Sequence, residues 1–118
     1  MRVISGKYRG MNLAEFQGND IRPTADRVKE SLFNILAAKV AGASVLDLFC
    51  GSGNLGIECL SRGARCVHFN DISAGSIAVL KKNLSRLRGE VFTVTRADWR
   101  ECLYAAKQPF DIVFIDPP

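Results

Sequence analysis

The sequence is poor in the residues that metal and redox chemistry need. It holds one histidine, His68, and one tryptophan, Trp99. Its four cysteines (Cys50, Cys59, Cys66 and Cys102) form no C-x-x-C pair. Zinc sites are built from clustered Cys and His, so no metal site is expected. The cysteines sit among apolar neighbours and read as buried, reduced thiols. His68 reads as an ordinary strand residue. No apolar run approaches the ~18 residues of a membrane span. The opening Met1-Arg2-Val3-Ile4-Ser5-Gly6-Lys7 lacks the apolar core of a secretion signal. The expected setting is therefore cytoplasmic, with no membrane partner. Neither sign of charge dominates: 16 basic residues oppose 12 acidic ones, for a net charge of +4. That excess permits a nucleic-acid partner without identifying one. Internal repeats and low-complexity segments are also missing.

What is present is a chain of 118 residues, 47% hydrophobic, enough for one domain with a core. Residues 2–13 read as a β-hairpin or extended arm punctuated by Gly6 and Gly10, with Tyr8 and Leu13 as inward contacts. Residues 14–23 read as loop. Thr24 is placed as an N-cap, with Asp26 in the first turn. Val28, Leu32, Ile35 and Leu36 then give an amphipathic helix over about 25–39, closed by Gly42. Strands are expected at 44–49, 65–70, 91–95 and 110–115. Helices are expected at 54–62, 73–88 and 100–106. Ile77, Leu80, Leu84 and Leu87 share one face of the second of these. Alternating strands and helices with short connections imply an α/β fold, a parallel sheet covered by helices on both faces. The expected division is an arm and loop at 1–23 and a Rossmann-like domain at 24–118.

Gly51-Ser52-Gly53-Asn54-Leu55-Gly56 lies between an apolar strand and a helix, and Asp71 follows about 20 residues after Gly51. In that context the glycine pattern reads as a nucleoside-cofactor turn. Gly51 allows the tight turn. Gly53 lets backbone approach the ligand, and the N–H groups of Asn54 and Leu55 face it. Dinucleotides and S-adenosylmethionine both fit. Asp47 favours the second, because a carboxylate there opposes a pyrophosphate but suits the ammonium of a methionine moiety, directly or through water. Asp71 would accept ribose hydroxyls. Asp98 could accept from the adenine amine, and Trp99 could wall the ring.

Asp116-Pro117-Pro118 comes directly off the last strand, at the carboxyl edge where such sheets bind ligands. Proline fixes the bend and leaves carbonyls without donors. The Asp116 carboxylate and the Pro117 carbonyl could accept both N–H bonds of an exocyclic base amine. Its lone pair would then be aimed at a methyl donor, a catalysis of positioning.

Asp47-Leu48-Phe49-Cys50-Gly51-Ser52-Gly53 and Asp116-Pro117-Pro118 resemble motifs I and IV of class I S-adenosylmethionine-dependent amino-methyltransferases. Those two motifs would fit DNA adenine methylases as well. Ser5-Gly6-Lys7-Tyr8-Arg9-Gly10, the run from Arg22-Pro23-Thr24 to Ile35-Leu36, and Asn83-Leu84 are similar to the RsmD family, bacterial 16S rRNA (guanine-N2)-methyltransferases. The resemblance covers the whole chain. It implies that Asp47, Phe49, Gly51, Gly53 and Asn54 line the methionine and ribose side of S-adenosylmethionine. It implies that Asp71 and Ile72 hold ribose and adenine, that Asp98 and Trp99 flank adenine, and that Asp116, Pro117 and Pro118 hold the guanine amine. Where this chain has Asp71, the family more often has Glu. Arg22, Thr24 and Arg27 would lie near the active site. Arg2, Lys7 and Arg9 on the arm would touch the backbone of 16S rRNA, free or in the small ribosomal subunit. The target guanine would have to be unstacked.

The resemblance also implies an aromatic residue after Asp-Pro-Pro and further strands, roughly a third of the expected domain. The chain is therefore expected to be part of a longer protein with strand order 3-2-1-4. The family is expected to be monomeric. In this chain the fourth strand would be an apolar edge that self-associates, with little or no methyltransferase activity. Three other readings stand beside this one: an adenine-N6 methyltransferase acting on DNA or RNA, an NAD-type oxidoreductase domain, and a non-catalytic RNA-binding fragment.

Overall fold

A computed structural model describes residues 1–16 and 26–118. The first strand, β1 (Ser44–Asp47), is buried along its whole length, as its unbroken apolar run requires. Helix α2 (Asn54–Ser61), strand β2 (Cys66–Asp71), helix α3 (Ala74–Leu84), strand β3 (Phe92–Arg96), helix α4 (Trp99–Ala105) and strand β4 (Ile112–Phe114) follow in alternation. The four strands form one parallel sheet in the order β3-β2-β1-β4, as the sequence predicts. Chain order reverses at β1, so the carboxyl ends of β1, β2 and β4 face one crevice.

Helices cover both faces. Helix α1 (Asp26–Leu36) joins α2 and α3 over a main core of Phe33, Val45, Ile57, Leu60, Phe69 and Leu80. A smaller core on the opposite face gathers Leu46, Leu48 and Cys102, flanked by Phe49 and Phe110, beneath α4. The alternation of Val45 and Leu46 between the two cores is the period of a strand buried on both sides. The cysteines are free, and three of the four are buried. Among the described residues no helix is long and apolar enough to cross a membrane, and no group of residues is arranged to hold a metal ion.

Helix α1 corrects the expected amphipathic face. Val28 and Ile35 are 58% and 79% exposed, whereas Lys29 and Phe33 are buried. Leu32 and Leu36 pack against the main core as expected, but the buried line is centred on Lys29 and Phe33 and turns Val28 and Ile35 outward. The buried line runs through Lys29 and Phe33 because the Lys29 ammonium has a carboxylate partner inside, which periodicity cannot show. The helix also stops at Leu36 and continues as a 3-10 turn, Ala37–Lys39. The N-cap expected at Thr24 lies outside the described residues. Shorter bounds also appear in β1, which leaves Phe49 beyond the strand, and in α3, whose last turn gives way after Leu84.

The N-terminal arm is a hairpin reduced to a single bridge, Arg2 with Asn12. Backbone bonds from Val3 N to Met11 O (2.9 Å), Gly10 N to Val3 O (2.8 Å) and Leu13 N to Met1 O (2.9 Å) close it. Val3 and Leu13 are buried in the main core. Tyr8 is half-buried against the same core, and its hydroxyl donates to Glu90 Oε2 at 2.7 Å, beyond the end of α3.

Candidate functional site

The glycine-rich turn leaves β1 and enters α2 at the sheet switch point. Gly51 and Gly53 have φ of +54° and +100°, a region that side-chain-bearing residues rarely adopt. Both dihedral angles suit the tight turn, and the surroundings of the two glycines differ. A Cβ on Gly51 would meet open space. A Cβ on Gly53 would point inward, 2.6 Å from Leu80 Cδ1 and 2.9 Å from Ile57 Cδ1. Gly51 is therefore required by its dihedral angle alone, and Gly53 by its dihedral angle and by the core. Gly56 is required by α2–β2 packing, since a Cβ there would lie 2.3 Å from the Phe69 ring.

Asp47 ends β1 and is only 2% exposed. Its Oδ2 accepts the Gly56 N–H at 3.0 Å, which ties the strand to the first turn of α2. Burial pushes its carboxyl up to about 7. The Gly56 N–H opposes that rise, and the charges of Asp116 and Asp71 add to it. Asp71 ends β2. Its Oδ2 accepts the Gly51 N–H at 2.8 Å and its Oδ1 accepts the Ser73 N–H at 2.9 Å. The helix N-cap at this point is Ser73, whose hydroxyl accepts from Ser76 N, so Asp71 does not serve as the cap. It serves the turn. Asp116 follows β4, and Asp116, Pro117 and Pro118 are exposed. Asp47, Asp71 and Asp116 thus stand at the carboxyl ends of three adjacent parallel strands, with Asp47 buried and close enough to the other two to feel their charge. A group of carboxylates of this kind suits a cationic ligand.

The other predicted residues fall around this centre in different ways. Asn54 is buried at the start of α2. Phe49 is half-buried in the smaller core. Ile72 is 63% exposed beside Asp71, and Trp99 is 43% exposed. Asp98 caps α4: its Oδ1 accepts the Arg100 N–H at 2.9 Å. The Arg100 guanidinium bonds both carboxylate oxygens and holds Asp98 below its ordinary range. The same guanidinium lies 5.7 Å from the Trp99 ring centre.

Of the candidate RNA contacts, Arg2, Lys7, Arg9 and Arg27 are on the surface. Arg2 reaches Asp26 at 3.5 Å, and Lys7 is paired with Glu90 at 2.7 Å. Arg22 and Thr24 lie outside the described residues.

Sequence reasoning missed a polar network beneath the turn. Lys29 Nζ donates to Asn54 Oδ1 at 2.7 Å and to the Arg2 carbonyl at 2.9 Å, and it pairs with Glu58 Oε1 at 2.9 Å. Burial alone would raise the Glu58 carboxyl, but the Ile4 N–H, Arg62 and Lys29 outweigh it and hold it below the usual range. Asn70, 1% exposed, was also missed. It donates to the Leu48 and Ala97 carbonyls and accepts from Thr95, fixing the loops that follow β1 and β3. Only the i,i+4 pair of Glu58 with Arg62 was visible as a sequence signal.

The chain matches the family described as conserved hypothetical protein 95 along residues 1–118. It is 43% identical over 122 residues to Bacillus subtilis YlbH. It is 41% and 39% identical to the ribosomal RNA small subunit methyltransferase D proteins of Haemophilus influenzae and Escherichia coli K12. All three alignments cover 100% of this chain but 66%, 63% and 60% of the relatives, so the chain spans less than two thirds of their length. The solved structure of Escherichia coli yhhF superposes with a TM-score of 0.88 at 40% identity, covering 100% of this chain and 64% of that one. The M. jannaschii tRNA m1G37 methyltransferase shares the fold at a TM-score of 0.62 and 24% identity, covering 81% of this chain and 29% of that one. A switch-point crevice of carboxylates and a glycine turn, on a class I methyltransferase fold, thus agrees with full-length sequence likeness: the chain belongs to the conserved hypothetical protein 95 family, that of the ribosomal RNA small subunit methyltransferase D proteins.

Proposed function

We propose that the chain carries the cofactor half of an rRNA methyltransferase that moves a methyl from S-adenosylmethionine to the exocyclic N2 amine of a guanine in 16S rRNA. The observation that carries this reading is the meeting of Asp47, Asp71 and Asp116 at the carboxyl ends of three adjacent parallel strands. A dinucleotide would place a pyrophosphate among those carboxylates. A methionine moiety places an ammonium and a sulfonium there. The residues fit such a cofactor, which supplies an electrophilic methyl when bound.

The chain's own residues then have separable tasks. Asp47 faces the ammonium. Asp71, held by Gly51 and Ser73, keeps lone pairs for ribose hydroxyls. Ile72 and Trp99 offer apolar surface to adenine, with Asp98 beside them and Phe49 on the methionine side. Asp116 and the Pro117 carbonyl accept the two N–H bonds of the base amine and orient its lone pair, while Pro118 stiffens the bend. Arg2, Lys7, Arg9, Arg22, Thr24 and Arg27 serve the RNA side. Names of the relatives support ribosomal RNA of the small subunit as the substrate class.

Calorimetric titration of the 118-residue chain tests the cofactor reading. S-adenosylmethionine should bind, NAD should not, and Asp71→Ala should lose the binding. Binding of NAD in place of S-adenosylmethionine would sink it.

A further inference from the structure

Two parts of the sequence have no task at the cofactor in the chemistry above: the hairpin motif Ser5–Gly10 and Asn83. The structure joins them to the glycine-rich turn. Lys29 is 0% exposed, and its ammonium is spent on three segments: the Arg2 carbonyl in the hairpin, Asn54 at the turn, and Glu58 in α2. Glu58 in turn accepts the N–H groups of Ile4 (2.9 Å) and Ser5 (3.1 Å). Asn83, 1% exposed, makes the equivalent bridge from α3. Its amide exchanges bonds with Ala14 (2.9 and 3.0 Å) and donates to the Ser52 carbonyl at 2.9 Å. The Ser52 hydroxyl accepts the Phe16 N–H at 3.0 Å.

The two residues that flank Gly53 are therefore each tied to the N-terminal segment through a buried polar side chain. A turn built on two left-handed glycines has little stiffness of its own, so its shape depends on such ties. Burying an ammonium is costly, and an apolar side chain of similar size would fill the space without that cost. What the apolar replacement would lose is the connection.

We propose that Lys29 and Asn83 are positioning residues that couple the N-terminal hairpin to the cofactor turn, so that ligand binding at the turn and docking of the hairpin strengthen each other. The proposal rests on the turn being an S-adenosylmethionine site. Linkage is reciprocal: a polyanion held by Arg2, Lys7 and Arg9 raises cofactor affinity by the same factor by which cofactor raises affinity for the polyanion.

Amide hydrogen exchange on the 118-residue chain, with and without S-adenosylmethionine, separates the outcomes. In the unmodified protein the cofactor should slow exchange at Gly51 and Gly56, and also at Ile4, Ser5, Ala14 and Phe16. In Lys29→Met the slowing at Ile4 and Ser5 should vanish while that at Gly51 and Gly56 remains, with affinity reduced about tenfold. Asn83→Leu, which removes the bridge from Ala14 to the Ser52 carbonyl but leaves the Phe16 N–H its own acceptor, provides the same test at Phe16 if Lys29→Met does not fold. Protection confined to the turn in the unmodified protein would overturn the coupling and leave the cofactor site standing. So would a folded Lys29→Met protein with unchanged affinity. No slowing anywhere would overturn the cofactor reading itself, and the coupling with it.

Discussion

The Asp71 carboxylate accepts the Gly51 N–H at 2.8 Å, so the acid at the end of β2 and the glycine of the turn after β1 are parts of one bonded unit. A second bond, from Ser73 N–H at 2.9 Å, fixes the other oxygen. Asp71→Asn keeps the size but weakens both charge-assisted bonds. Asp71→Ala removes them and leaves the Gly51 N–H without its acceptor. The expected stability loss for Asp71→Ala is about 1–3 kcal/mol, with cofactor binding lost, and Asp71→Asn should fall between it and the parent. Thermal melts with and without S-adenosylmethionine distinguish the two effects. A shift in melting temperature on adding cofactor to Asp71→Ala, equal to that of the parent, would refute the ribose role.

The buried Asp47 makes stability and ligand binding respond to pH with opposite signs. Its folded carboxyl titrates near about 7, above its ordinary 3.8. Between those values the folded chain holds a proton that the unfolded chain has released. Its contribution to stability is therefore greatest below about 4 and declines as pH rises to about 7. A cationic ligand needs the carboxylate, so affinity should rise over the same interval, with proton release on binding below pH 7. Calorimetry in two buffers of different ionisation enthalpy measures that release. In Asp47→Asn both trends should flatten.

Glu58→Gln leaves the Lys29 ammonium buried without its carboxylate and weakens the ties to Ile4, Ser5 and Arg62. Breaking a buried pair from one side costs roughly 3–5 kcal/mol. Replacing both partners together, Lys29→Met with Glu58→Leu, should cost less than the sum of the two single changes. Urea unfolding of the four proteins as a double-mutant cycle gives the difference directly. Additive losses would show that the two side chains do not act as a pair.

Gly56→Ala inserts a methyl group 2.3 Å from the Phe69 ring, in the layer between α2 and β2. Overpacking of this kind costs about 1–3 kcal/mol, although alanine favours helix. The same change at Gly51 meets open space, so its cost comes from the φ of +54° alone. The first variant should lose stability, and the second should lose mainly cofactor affinity. Paired melts and titrations read both.

Among the described residues strand β4 pairs with β1 on one side only, and Val113 and Ile115 beside that edge are 44% and 69% exposed. A short apolar edge invites pairing with a second copy. Sedimentation of the 118-residue chain should show concentration-dependent association, and Val113→Lys should suppress it. A monodisperse monomer at high concentration would remove the edge-pairing idea.

Local sequence determined the architecture. The unbroken apolar run ending at Asp47, the glycine pattern from Gly51 and the acid at 71 appear in the order that the sheet requires, because a parallel strand–turn–helix unit is specified by neighbours in the chain. Helix termini were legible to within a few residues for the same reason. The inward face of α1 was legible at Leu32 and Leu36 but not at its buried centre, Lys29. A lysine belongs in the core only when a carboxylate waits there, and Glu58 lies 29 residues away in another helix. Nor was the reason for Gly53, which depends on the side chains of Leu80 and Ile57. The meeting of Asp47, Asp71 and Asp116 needs three strands in register, so the sequence could name those residues but could not show the field between them. That field, and the buried ties from the hairpin to the turn, exist only once the chain is folded, because long-range polar contacts leave no periodic trace in the residues that make them.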